Sequence, residues 1–172
     1  MKNQTIINGG IVTALLAFAI YYMVSKPKTG YVVIQEVYTN FEFKKELERK
    51  FTITKNARQK GIDSLELELK YLVNKLEQQK TKDKNDILIF NNKRDEYLHK
   101  KKISEEDNAA LSNQYDTEIL TQLNQYVKDY GTENNYTYIY GNDGNGSLMY
   151  SKESENLTKK VTEYINKKYN GK

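Results

Sequence analysis

A chain of 172 residues has the length of one ordinary domain, yet 29% of it is charged and only 38% hydrophobic, which excludes a single large apolar core. The absence of cysteine excludes disulfides, thiolate metal sites, cysteine nucleophiles and a lipoprotein-type anchor. The net charge of +4 is matched in full by one window, Lys75 to Lys102, where nine Lys and Arg face five acids.

The first element is an uncharged run of nineteen residues, Ile6 to Val24, with Lys2 before it and Lys26 and Lys28 after it. That is long enough to span a bilayer. Residues 1–25 therefore read as a signal peptide or as a retained signal anchor. No small-x-small cleavage site stands out, because Tyr21, Tyr22 and Met23 occupy the expected region. The Lys-Pro-Lys-Thr-Gly stretch that follows sets a linker at 26–30 and a folded domain at 31–172.

Tyr31 to Val37 is rich in β-branched and aromatic residues and reads as a short strand. Thr39, Asn40, Phe41 and Glu42 match a capping box, which predicts a helix start there. Ile62, Leu65, Leu69, Leu72 and Leu76 then recur at spacings of three and four, a stripe that seeks a partner helix. Thr81 to Asp86 is wholly polar and predicts a turn, and the stripe returns at Leu111, Tyr115, Ile119, Leu123, Tyr126 and Tyr130. Two arms of nearly equal length, 40–80 and 87–128, predict an antiparallel helical hairpin. At 1.5 Å per residue each arm would reach about 60 Å. Lys100 to Lys102 followed by Ser104 to Asp107 is read as a solvated face of a continuous helix.

Gly131 predicts the end of that helix, and Tyr136 to Tyr140 an alternating strand. Gly141 to Gly146 then predicts a turn and Ser147 to Ser151 a returning strand of a β-hairpin. Leu157, Val161, Tyr164 and Ile165 mark a final amphipathic helix. The fold class expected is α+β, mostly α. A small β base, 31–39 and 131–172, carries a long helical hairpin at 40–130 whose tip is 81–86.

Candidate chemistry is sparse. Gly141, Gly144 and Gly146 lead into Ser147 and Leu148 rather than into a helix N-terminus, which disfavours a phosphate cradle. Asn142, Asp143 and Asn145 lack the terminal glutamate of a calcium loop. His99 is the single histidine, so no triad or two-histidine metal site is available within one chain. Acids alternate with lysines as solvated helix faces do. The expectation is a non-enzymatic protein with no cofactor and no metal. A nucleic-acid role is disfavoured because the basic window is interleaved only with Phe90 and Tyr97.

Several runs resemble the Skp/OmpH family of periplasmic chaperones, most closely its Bacteroidetes-type versions. They are Leu123 to Gly131 (LNQYVKDYG), Tyr136 to Gly141 (YTYIYG), Gly144 to Tyr150 (GNGSLMY) and Leu157 to Asn166 (LTKKVTEYIN). Tyr31 to Leu47 is similar to that family's first strand and helix start. The resemblance covers 31–168, with the arms matching in pattern rather than identity. It implies a homotrimer whose strands build a shared base, with hairpins enclosing a cavity that holds unfolded outer-membrane β-barrel proteins without ATP. Val32, Ile34, Ile139 and Leu148 would then belong to the trimer base. Lys80, Lys82, Lys84, Phe90, Lys93, Arg94, Lys100, Lys101 and Lys102 would form a client-facing tip that suits acidic clients or anionic membrane surfaces. The implied location is the periplasm, with residues 6–24 fixing the chain to the inner membrane if they are not cleaved. The rival reading is a coiled-coil strut or docking arm of the cell envelope.

Overall fold

The computed structural model describes residues 12–19, 21–22, 26–79, 81 and 83–171. The described part of the N-terminal segment, 12–19 and 21–22, is helical, and 6–11, 20 and 23–24 of the apolar run lie outside the described residues. Among the described residues no helix is long and apolar enough to cross a membrane. The described residues fall into two compact units, those within 1–37 and 127–164 and those within 38–126 and 165–172.

The first unit is built on two strands, β1 (Thr29–Val33) and β2 (Tyr138–Asn142). They pair in parallel, from Thr29 opposite Tyr138 to Val33 opposite Asn142. A parallel pair needs a long crossover, and residues 34–137 supply it. The strand-bearing base is as expected, but the β-hairpin is not, because Ser147 to Ser151 forms no strand. Two Asx turns carry the chain onward there. Asn142 Oδ1 accepts from the Gly144 amide at 3.1 Å, and Asp143 Oδ1 accepts from the Asn145 amide at 2.9 Å. Gly144 and Gly146 adopt φ of +78° and +93°. The free edge of β1 is taken instead by the residues before the last helix. Asn156 bridges to Tyr31, and the Leu157 amide donates to the Tyr31 carbonyl at 2.7 Å.

The first strand is also shorter than its composition suggests. It stops at Val33, and helix α1 (Ile34–Asn40) follows at once. Ile34, Val37 and Phe41 are spaced three and four apart, a helical signal masked by the β-branched run before it. Close packing fixes the base. A Cβ on Gly30 would lie 2.3 Å from Leu157 Cδ1, and one on Gly141 would lie 2.5 Å from Ile34 Cδ1, so a side chain at either position would displace its neighbour.

The second unit holds the hairpin. Helix α2 (Glu42–Gln78) runs out and helix α3 (Lys84–Glu133) runs back. The stretch Lys100 to Asp107 is helical throughout, as expected. The turn itself is short. Asp83 Oδ1 accepts from the Asn85 amide at 2.7 Å, the usual service of an N-cap aspartate. The start of α2 departs from the capping box: Phe41 sits at the N-cap position with no side-chain cap bond. Helix α4 (Thr158–Tyr169) supplies the cap from a distance, because Asn166 Oδ1 accepts from the Glu42 amide at 2.9 Å. The same Asn166 donates to the Asn40 carbonyl at 3.0 Å, closing the junction between α1 and α2.

The far end of α3 lies in the first unit and ends two residues beyond Gly131. Asn135 takes the left-handed conformation, φ 56°. The Tyr136 amide donates to the Gly131 carbonyl and the Asn135 amide to the Thr132 carbonyl, which is a Schellman closure. Tyr136 stacks on Tyr130 at 5.9 Å and Lys28 lies over its ring, which makes Asn135 rather than Gly131 the stop.

Candidate functional site

The hairpin has two very different halves. At its root Phe41 is fully buried and meets Phe43, Tyr126 and Tyr169 edge-on, with ring centres 5.8 to 6.2 Å apart. Leu47, Ile62, Leu65, Ile119 and Leu123 are buried along the same arms. Beyond Leu65 and before Ser104, the one buried residue described is a charged one, Asp86. Its carboxylate accepts from Lys75 Nζ at 2.7 Å and from Gln79 Nε2 at 2.5 Å. The Lys75 bond and then the Gln79 bond hold the Asp86 pKa below its ordinary value.

The seam of the hairpin therefore does not stop where the apolar stripe fades. It becomes polar. Lys93 Nζ pairs with Glu68 at 3.0 Å across the arms, and Arg58 reaches Asn108 at 2.6 Å and Asp107 at 3.4 Å. The Lys100 ammonium lies against Gly61, 3.2 Å from where a Cβ would stand. Ser104 is buried one turn further on.

Apolar side chains are left on the outside. On α2, Ile53, Leu67 and Tyr71 are 66% to 69% exposed, and on α3 Leu88 and Leu98 are more than half exposed. Ile87 to Ile89 are exposed beside the turn. Isolated exposed leucines are ordinary, but a run of three next to a turn that lacks an apolar core is a surface suited to non-specific apolar contact. A groove of about 520 Å³ opens between the arms at Leu69, Val73 and Phe90, with Arg94 at its rim.

The cations expected at the tip are spread out, and three of the six that are described, Lys93, Arg94 and Lys102, pair with acids. Lys80 and Lys82 lie outside the described residues. Lys84 opens α3 beside the turn. Lys93 pairs with Glu96 as well as Glu68, Arg94 with Asp95, and Lys102 with Glu106 at 3.8 Å. Glu68 and then Glu96 raise the Lys93 pKa. Lys100, Lys101 and Lys102 are not at the tip. They stand sixteen or more residues past the start of α3, about 24 Å along the helix. Spacing along one arm shows the Lys93–Glu96 and Lys102–Glu106 pairs but not Lys93 to Glu68 or Lys75 to Asp86, which join the two arms.

In the base, Val32 is buried within its own chain. Ile34 covers Gly141, and Ile139 approaches Gly131 to within 3.4 Å of a notional Cβ. Leu148 is half-buried. The exposed apolar residues of this unit are others: Tyr138 and Tyr140, stacked at 5.9 Å on one face of β2, with Met149 and Tyr150. The alternation of Tyr136, Tyr138 and Tyr140 was the available signal for that face.

Among the described residues no group of three or more His, Cys, Asp or Glu is placed to hold a metal ion. A strand-paired base and a long antiparallel hairpin that leaves apolar side chains exposed on its arms define an α+β fold, mostly α. The chain belongs to the OmpH-like family: the model described as Outer membrane protein (OmpH-like) matches residues 28–165. That family places it among periplasmic proteins concerned with outer-membrane proteins. No curated protein matches the chain.

Proposed function

We propose that this chain is an ATP-independent holdase that keeps unfolded outer-membrane β-barrel proteins soluble in the periplasm. The single observation that carries the reading is the combination on the arms of exposed Ile53, Leu67, Tyr71, Leu88 and Leu98 with a distal seam held by polar bonds. Apolar contact without a fixed partner geometry lets one surface accept many sequences. A distal half with little buried apolar area opens at low free-energy cost, so the arms adjust to clients of different size.

The chain works as a homotrimer. Tyr138 and Tyr140 on the outer face of β2, with Leu148, Met149 and Tyr150, supply apolar area for contact between copies, while Val32, Ile34 and Ile139 support it from inside each base. No step of holding requires a catalytic group or cofactor. Residues 6–24, when retained, tether the trimer to the inner membrane.

Light scattering on residues 26–172, alone and after dilution of a urea-unfolded outer-membrane protein into it, tests the reading. A trimer that holds the client in a defined soluble complex is the expected result. A monomer or dimer that leaves the client to aggregate overturns it in favour of a fixed envelope strut.

A further inference from the structure

The root of the hairpin carries a second, chemically different surface. A cleft of about 390 Å³ opens where the end of α1 meets α2 and α3, walled by the rings of Tyr38, Phe51 and Tyr115 and by the carboxylates of Glu48 and Asp116. The Tyr38 hydroxyl donates to Asp116 Oδ1 at 3.1 Å, which leaves the other oxygen of that carboxylate as an acceptor. The cleft already handles one cation of the chain's own. Lys44 Nζ lies 5.1 Å from the Tyr38 ring centre and 2.6 Å from Glu48. Lys44 thus answers Glu48, while the Asp116 carboxylate, bonded through one oxygen to Tyr38, stands in the same cleft as the rings of Phe51 and Tyr115.

We propose that this cleft binds the guanidinium of an arginine side chain borne by an extended polypeptide, resting on the reading of the chain as a holder of unfolded proteins. A planar, weakly hydrated guanidinium stacks on aromatic faces while it pairs with a carboxylate, the combination that Phe51, Tyr115 and Asp116 offer. An anionic side chain is repelled there. The volume suits one side chain. The site deepens the holding function because it adds a charged anchor of one sign at the root to the apolar contacts of the distal arms.

The test uses the full chain in detergent and two labelled peptides of equal length, one alternating valine with arginine and one alternating valine with glutamate, followed by anisotropy. The chain's net charge of +4 favours the glutamate peptide at long range, so a preference for arginine reports a local site. The expected result is binding of the arginine peptide about tenfold tighter than the glutamate peptide, falling to within about twofold in Asp116→Asn. Asp116 is exposed, so this variant keeps the fold, which circular dichroism checks. Tyr38→Phe frees the second carboxylate oxygen and retains the preference. Equal binding of the two peptides, or an Asp116→Asn variant that keeps the preference, overturns the site. If the peptides bind equally while a urea-unfolded outer-membrane protein is still held, this site alone fails. If wild type holds neither, the holding function fails with it.

Discussion

The root and the distal half of the hairpin are made from the same kind of helix yet are held together by different physics. The root buries Phe41, Leu47, Ile119 and Leu123, and the aromatic rings of Phe43, Tyr126 and Tyr169 close around Phe41. The distal half keeps its arms in register with Lys75 to Asp86 and Lys93 to Glu68, bonds that are exposed or partly exposed. Ion pairs of that kind contribute little each, because water and salt screen them. A hairpin stiff at one end and loose at the other is the result, and the loose end leaves Leu67, Tyr71, Leu88 and Leu98 in solvent.

The largest effect that sharpens this contrast is expected from Phe41→Ala. Removing a fully buried ring costs about 3–5 kcal/mol, whereas Phe90→Ala in the open distal groove costs much less. Urea denaturation of the two variants measures the difference. Equal losses would mean that the distal seam is packed as tightly as the root. Next in size is Asn166→Ala, which removes the distant cap of α2. A loss of about 1 kcal/mol is expected, typical of an N-cap, with the helices otherwise intact by circular dichroism.

A smaller and purely local change is expected from Asp86→Asn. The turn loses its charged anchor to Lys75, so hydrogen exchange at residues 84–90 quickens while the main thermal transition moves by less than about 3 °C. Acid produces the same loosening in the wild type. The folded pKa of Asp86 lies below the unfolded one, so its stabilisation is present above the ordinary carboxylate range and is lost as the pH falls below about 4. Exchange at the turn that is indifferent to pH in that range would break the comparison.

Much of this architecture was legible in the sequence because it rests on period and punctuation. The stripes at 62–76 and 111–130 became the buried or half-buried seam, and the polar hexapeptide 81–86 overlaps the turn, which lies between Gln78 and Lys84. What escaped depended on residues distant in sequence. The cap of α2 comes from Asn166, more than 120 residues away, so the local Thr39 to Glu42 pattern misled. The edge of β1 is filled by Asn156 and Leu157, and no local signal tells Ser147 to Ser151 that its partner is already satisfied. The distal seam escaped for a related reason. Lys75 and Lys93 are answered by Asp86 and Glu68 on the opposite arm, and hydropathy alone does not register a seam made of Lys93, Lys100 and Ser104.

The root has a titratable contact besides Tyr38 to Asp116, between the last turn of α4 and the first turns of α2. The Tyr169 hydroxyl donates to Glu46, and that bond together with burial pushes the Tyr169 pKa up to about 12. A tyrosine with a raised folded pKa stabilises the fold fully below its unfolded value near 10 and loses that contribution as the pH rises towards the folded value. The root should therefore loosen between about pH 10 and 12, the opposite end of the scale from the turn at Asp86. Tyr169→Phe keeps the ring against Phe41 and Phe43 but removes the titrating group. Its neutral-pH stability should fall only slightly, and the alkaline step, followed by tyrosine absorbance and ellipticity together, should shrink. An alkaline step of undiminished size in Tyr169→Phe would assign it to other tyrosines, and the clasp of α4 on α2 would then rest on Asn166 and the aromatic cluster alone.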